Sequence, residues 1–97
     1  MIKKTRIQTR PNSDINFFTP RQEKVDYTIN TFQKMAKLVI SNSVSEDNLV
    51  RTSVWVWADQ ESLDQYNSNE LVQLVKQEEL DYINSNNFTL VETEENI

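Results

Sequence analysis

Not one of the 97 residues is a glycine, so every tight turn, helix terminus and hairpin tip in this chain must be built from residues that carry a Cβ. A left-handed backbone costs such a residue roughly 1–2 kcal/mol, and asparagine tolerates it best. Asparagine is correspondingly frequent where turns are wanted, at Asn12, Asn48, Asn67, Asn84, Asn86 and Asn87. The same absence removes the phosphate-cradling loop, the dinucleotide fingerprint and the nucleophile elbow, all of which are written with glycine. Histidine and cysteine are missing too. That removes the serine triad, imidazole and thiolate metal sites, disulfides and cysteine nucleophiles. Any catalysis would rest on carboxylates, Tyr, Lys, Arg, Asn or Trp, or on a substrate that is itself reactive; no cofactor and no metal are expected.

A chain of this length makes one domain, 1–97, that hides roughly 60–65% of its unfolded surface, a size at which association with a second copy is a natural supplement. The net charge of -5 is unevenly spread: nine of the ten basic residues lie at or before Arg51, and ten of the fifteen acids at or after Asp59. An acidic chain is a poor counterion-releasing surface, so nucleic acid is not an expected partner. The start "MIKKTRIQTR" carries positive charge with no apolar run behind it, and no stretch approaches a membrane span, so neither a secretory leader nor a membrane partner is expected. The expected location is the cytoplasm.

"IKKTRIQTR" alternates between two faces and ends at the turn-prone "PNSD", which predicts a first strand. "FFTPRQ" predicts a helix start, with Thr19 as N-cap, Pro20 at the first helical position and Gln22 closing a capping box. Val25, Ile29, Phe32, Met35 and Ala36 then recur at helical spacing, giving a helix from about Pro20 to Met35. "KLVISNSV" and "LVRTSVWVWA" read as two strands of a hairpin, with Asn48 in the left-handed position at its tip. Asp59 is expected to cap a short helical turn carrying Leu63 and Tyr66. Asn67 with Glu70 begins a longer helix whose stripe is Leu71, Leu74, Val75 and Tyr82. "NFTLVETEE" is the last strand, followed by an acidic tail at about 93–97 that is expected to fray.

The order β-α-β-β-α-β is ferredoxin-like, an α+β fold with two helices on one face of a four-stranded antiparallel sheet. First and last strands are neighbours in that topology, so Lys4 and Arg6 are expected to face Glu92 and Glu94.

In "VRTSVWVWA", Val50, Thr52, Val54 and Val56 point one way, and Arg51, Ser53, Trp55 and Trp57 the other. Both faces are apolar near the strand's end, and a single helix layer covers only one. Either face could be core; the other calls for a partner subunit, because two exposed tryptophans make a patch at the limit of what a soluble monomer tolerates.

The junction "VWVWADQESLDQYNSNE" resembles the strand-to-helix junction of the dimeric α+β barrel superfamily, which includes the antibiotic-biosynthesis monooxygenases. The element order resembles that family over nearly the whole chain. The resemblance implies a homodimer of facing sheets, with a cavity between each sheet and its helices that holds a polycyclic substrate or haem in some members. On this correspondence Trp57 matches the cavity-lining tryptophan, and Thr5 stands where haem degraders have an asparagine. The haem-ligating histidine has no counterpart.

The ligand-pocket candidates are therefore Trp57 and Trp55 as walls, Tyr66 as a hydrogen-bond donor, Arg51 as an anchor for an anion, Thr5, and Phe17. Phe17 with Phe18 reads first as a hydrophobic staple ahead of the helix, and otherwise as pocket lining. Glu78, Glu79 and Asp81 read as a solvated helix face. The leading expectation is a small binding or assembly module whose partner is itself, with room for a small apolar ligand. The alternative is a cofactor-independent, monooxygenase-like enzyme acting on an apolar aromatic molecule. Catalytic residues are not identifiable from the sequence.

Overall fold

Alternation of side chains in the first segment produces strand β1, Ile2–Thr9, and the computed structural model, which describes all residues 1–97, continues with helix α1, Gln22–Thr28. A π-helical turn, Ile29–Gln33, prolongs α1 without a break. Strands β2 (Leu38–Val44) and β3 (Val50–Trp57) follow, then helices α2 (Gln60–Ser68) and α3 (Glu70–Ser85), and finally strand β4 (Thr89–Asn96). The sheet order is β2-β3-β1-β4 with every neighbouring pair antiparallel, which is the ferredoxin-like arrangement. Three helices rather than two cover its one protected face. No helix is long and apolar enough to cross a membrane.

The hairpin forms as its turn chemistry predicts. Asn48 takes φ 61° at the tip, and Asp47 accepts from the Ser45 hydroxyl and the Leu49 amide. Asn87 holds φ 58° between α3 and β4, and the third left-handed position is Ala36 at φ 56°. Ala36 ends α1 as a glycine normally would: the Lys37 amide donates back to the Phe32 carbonyl at 2.8 Å.

The start of α1 differs from expectation. Arg21 holds extended backbone (φ −59°, ψ 140°) and no side chain caps the helix; its carbonyl takes the amides of Lys24 and Val25 instead. Thr19 and Pro20 therefore lie outside the helix, and the staple that needs Thr19 as cap does not form. At the other end the π turn, in which Lys34 donates to Ile29, inserts an extra residue into the helical period. Phe32 is driven into the core at 1% exposure while Met35 is left 65% exposed.

Asp59 caps α2, accepting from the Ser62 amide at 2.7 Å. Asn69, not Asn67, caps α3, accepting from Val72 at 3.1 Å. The inward stripe of α3 is consequently Val72, Val75 and Ile83, with Leu74 exposed. The core they complete contains Ile2, Phe32, Leu38, Trp57, Leu63, Tyr66 and Val72. The segment around 93–97 is not frayed: β4 pairs with β1 as far as Asn96 opposite Ile2, and the Ile97 amide donates to Met1.

Register decides which face of β3 meets the helices. Trp57 stands opposite Ile2 and Leu38, and all three are buried. The tryptophan face is therefore the covered one. The other face, with Val54 and Val56 beside Thr5 and Val39, has no helix on it.

Candidate functional site

Along the covered face of β3 the two tryptophans have different fates. Trp57 is 1% exposed, its indole flanked edge-on by Phe32 (centroids 5.2 Å) and at a tilt by Tyr66 (5.1 Å). Trp55, one pleat further from the strand's end, is only half-buried and contacts Tyr66 at 5.6 Å. Beyond it the strand offers only Ser53, and nothing large enough fills the space up to α3. The gap is an open cavity of about 380 Å³ between the covered face of the sheet and helices α1, α2 and α3.

Trp55, Trp57 and Tyr66 form its aromatic floor, and Phe18 and Leu80 contribute further apolar walls. Leu80, which falls off the buried stripe of α3, thus gains a place beside the cavity. Lys4 and Arg6 reach it from β1, Lys24 from α1, Lys76 and Glu79 from α3, and Glu92 from β4.

The carboxylates are engaged. Arg6 binds Glu79 at 2.5 Å and Glu92 at 2.9 Å, and Lys4 pairs with Glu94 at 3.8 Å. The expected pairing of β1 with β4 is thus realised. Glu79 departs from the expected solvated face: it falls on the Val72–Val75–Ile83 stripe, its side chain is 13% exposed, and it points at Arg6. Glu78 pairs with Arg21 and Asp81 accepts from Gln77, both on the outside.

Lys24 and Lys76 have no carboxylate partner. The Lys24 ammonium lies 4.9 Å from the Trp55 ring and 5.2 Å from the Tyr66 ring; that of Lys76 lies 5.4 Å from the Tyr66 ring and donates to Asn67 Oδ1 at 2.6 Å. Burial, with Lys76 and Arg6 adding like charge, pushes Lys24 down to about 8 despite Glu79 nearby. Lys76 is lowered for the same first reason, loss of water. Burial pushes the Tyr66 phenol up, so it stays a neutral O–H that hydrogen-bonds and stacks without acting as a phenolate.

Of the sequence candidates, the structure brings Trp55, Trp57 and Tyr66 together around the cavity. Thr5 also borders it, but alternation puts its side chain on the opposite face of β1, so it touches the cavity through its main chain. Arg51 and Phe17 do not line it. Phe17 packs edge-on against Phe88 (5.9 Å) and lies under the guanidinium groups of Arg10 and Arg51, at 4.4 and 4.9 Å. Arg51 Nε and Gln8 Oε1, cross-strand neighbours, are buried there without a hydrogen-bond partner. Sequence reasoning missed Lys24 and Lys76. The available signal was helical spacing: Lys24 is one turn ahead of buried Thr28, and Lys76 one turn after buried Val72.

Fold and site together define a ferredoxin-like α+β domain with one bare sheet face and a cationic, aromatic cavity on the other. No protein-family model matches the chain, and no curated protein matches it. Among solved structures it is similar to an ethyl tert-butyl ether d (EthD) family protein from Bacillus halodurans C-125, at TM-score 0.44 and 15% identity over 99% of this chain and 100% of that one. It is also similar to the de novo designed protein Foldit4, at TM-score 0.40 and 14% identity over 99% and 96% of the two chains.

Proposed function

We propose that this chain is a small-molecule binding module whose cavity receives a planar, apolar ligand against Trp55. The observation that carries this reading is the cavity itself. Natural interiors leave few voids larger than a water molecule, whereas about 380 Å³ walled by aromatic rings with a few convergent polar groups has the size and chemistry of a ligand site. Tryptophan fluorescence titrated with polycyclic quinols, anthrones and fatty acids tests it, with Trp55→Phe as the informative variant because Trp55 borders the cavity while remaining half-buried. Saturable quenching that weakens in the variant supports the reading; a flat response across the panel overturns it.

The module is proposed to work as a homodimer. Ile7, Val39, Val54, Val56 and Val91 form an apolar band on the sheet face that carries no helix, and Val39 and Val91 are 66% and 55% exposed. A second copy of the same face is a self-complementary cover for such a band. Sedimentation equilibrium at micromolar concentration is expected to give a dimer, and Val54→Lys a monomer; a monomeric parent chain removes this element of the proposal.

A second reading, a cofactor-independent oxygenase acting on an acidic phenol or anthrone, is favoured by Lys24. An amine lowered to about 8 beside an aromatic cavity is a proton acceptor for such a molecule in its unprotonated fraction, which grows as pH rises through 8. Oxygen uptake with an anthrone supports this reading if it is lost in Lys24→Met; absence of uptake overturns it.

A further inference from the structure

We infer that the ligand of this cavity is a planar aromatic molecule bearing a carboxylate, held by Lys24 and Lys76 with its ring against Trp55 and Tyr66. The inference rests on the reading of the cavity as a ligand site and goes further by placing one acid group on the ligand's otherwise apolar ring.

The argument begins from which cations are free. Four basic side chains border the cavity: Lys4, Arg6, Lys24 and Lys76. Arg6 is taken up on two sides by Glu79 and Glu92, and Lys4 by Glu94. Lys24 makes no hydrogen bond and no ion pair through its ammonium, which lies over the faces of Trp55 and Tyr66, with Glu79 near but not paired to it. Lys76 approaches the same Tyr66 ring and is held by one neutral amide oxygen. Two ammonium groups directed to one aromatic ring repel each other, so placing them together costs stability unless an anion joins them.

A carboxylate supplies that anion with two oxygens, one for each lysine, in charge-assisted hydrogen bonds. The aromatic floor supplies stacking area for the ring that carries it. A neutral ligand of the same shape leaves both ammonium groups unpaired and gains only the stacking. A metal cation is opposed by the same two charges. Phosphate or sulfate alone meets the charge but leaves the indole and phenol faces unoccupied, so the ring and the acid group are both required.

Burial lowers the pKa of Lys24 first, Glu79 opposes it, and Lys76 and Arg6 add to it, as expected of a cation kept without its counter-ion; Lys4 and Glu92 also border the cavity. The lowered pKa also predicts how binding depends on pH. The carboxylate needs the protonated amine, so affinity holds at pH 6–7 and falls as pH rises through about 8, while the ligand's own charge does not change.

The test is calorimetric titration of the full chain with 2-naphthoate and with its neutral isostere 2-naphthalenemethanol at pH 7. The parent protein is expected to bind the acid at least about tenfold more tightly than the alcohol, the scale of one charge-assisted hydrogen bond. Lys24→Met is expected to abolish that preference by weakening the acid alone, and Lys24→Arg to restore most of it. Circular dichroism checks that both variants fold. Equal affinity for acid and alcohol in the parent overturns the inference and leaves the cavity reading standing. Preference unchanged in Lys24→Met overturns the assignment of the lysine. Binding of neither naphthalene, nor of anything in the fluorescence panel, overturns the cavity reading and this inference with it.

Discussion

The indole of Trp57 and the phenol ring of Tyr66 sit with centroids 5.1 Å apart, tilted by 49°, and Phe32 closes on both, at 5.2 Å from Trp57 and 5.9 Å from Tyr66. This trio joins β3, α2 and the end of α1, so the floor of the cavity is also the central packing contact of the domain. Trp57→Ala is expected to cost roughly 3–5 kcal/mol, the range for emptying a large aromatic site in a core. Trp55→Ala, at the half-buried position, is expected to cost clearly less. Urea unfolding of the two variants checks the order; equal losses would contradict the division of roles between the two residues.

Ala36 carries a left-handed backbone at φ 56° with a Cβ in place. Replacing it with glycine removes the steric cost in the folded state while adding some entropy to the unfolded one. Ala36→Gly is expected to raise stability by about 0.5–1 kcal/mol, which for a domain of this size is a rise in Tm of a few degrees. Ala58→Gly, at a position outside the three with positive φ, is expected to lower it. A thermal melt that moves the same way for both would sink the argument.

Lys24 makes stability depend on pH above neutrality. Its amine titrates at about 8 in the folded chain against an ordinary value of 10.5, so between those values the unfolded chain holds more protons than the folded one. Stability from this group therefore rises with pH across the window from about 8 to 10.5 and is lowest below it. Lys24→Met is expected to be more stable than the parent at pH 7, with the advantage shrinking toward pH 10.5. Melting both proteins across that range measures the difference, and a constant gap would contradict the shift.

At acid pH stability again rises with pH, here through carboxyl groups. The Ser62 amide and hydroxyl, with Lys37 beside them, hold the Asp59 carboxyl below its ordinary range, and the Arg21 guanidinium does the same for Glu78. A depressed carboxyl contributes stability above its unfolded pKa and loses it as pH falls through the folded one. Asp59→Asn keeps a side-chain oxygen for the cap and removes the titration. The variant is expected to show a shallower loss of stability below pH 4 than the parent, read from melts between pH 2 and 5.

Elements whose cause is local were legible in the chain. Asp59 and Asn48 act where their chemistry says, because an Asx cap and a left-handed hairpin tip are decided within a few residues. Lys4 and Arg6 meet Glu94 and Glu92 because strand order follows from element order. The start of α1 departs from the pattern since Thr19, Pro20 and Gln22 make a valid capping box on paper, yet Arg21 remains extended, keeps Thr19 and Pro20 out of the helix and makes Gln22 its first residue. A one-residue difference in the cap of α3, Asn69 for Asn67, sits with a buried stripe that brings Glu79 inward, a position that composition alone marks as solvated.

By itself the sequence determined the ferredoxin-like order, the hairpin, the two faces of β3 and the absence of histidine and cysteine chemistry. All of these depend on the period of side chains or on residue type. Only the tertiary structure decided that the tryptophan face meets the helices, that Trp57 is core while Trp55 borders a cavity, and that Lys24 and Lys76 converge on one ring. The physical reason is that a strand with two apolar faces is ambiguous until its neighbours are in place, and that cations far apart in sequence acquire a common environment only when separate helices close over the same stretch of sheet.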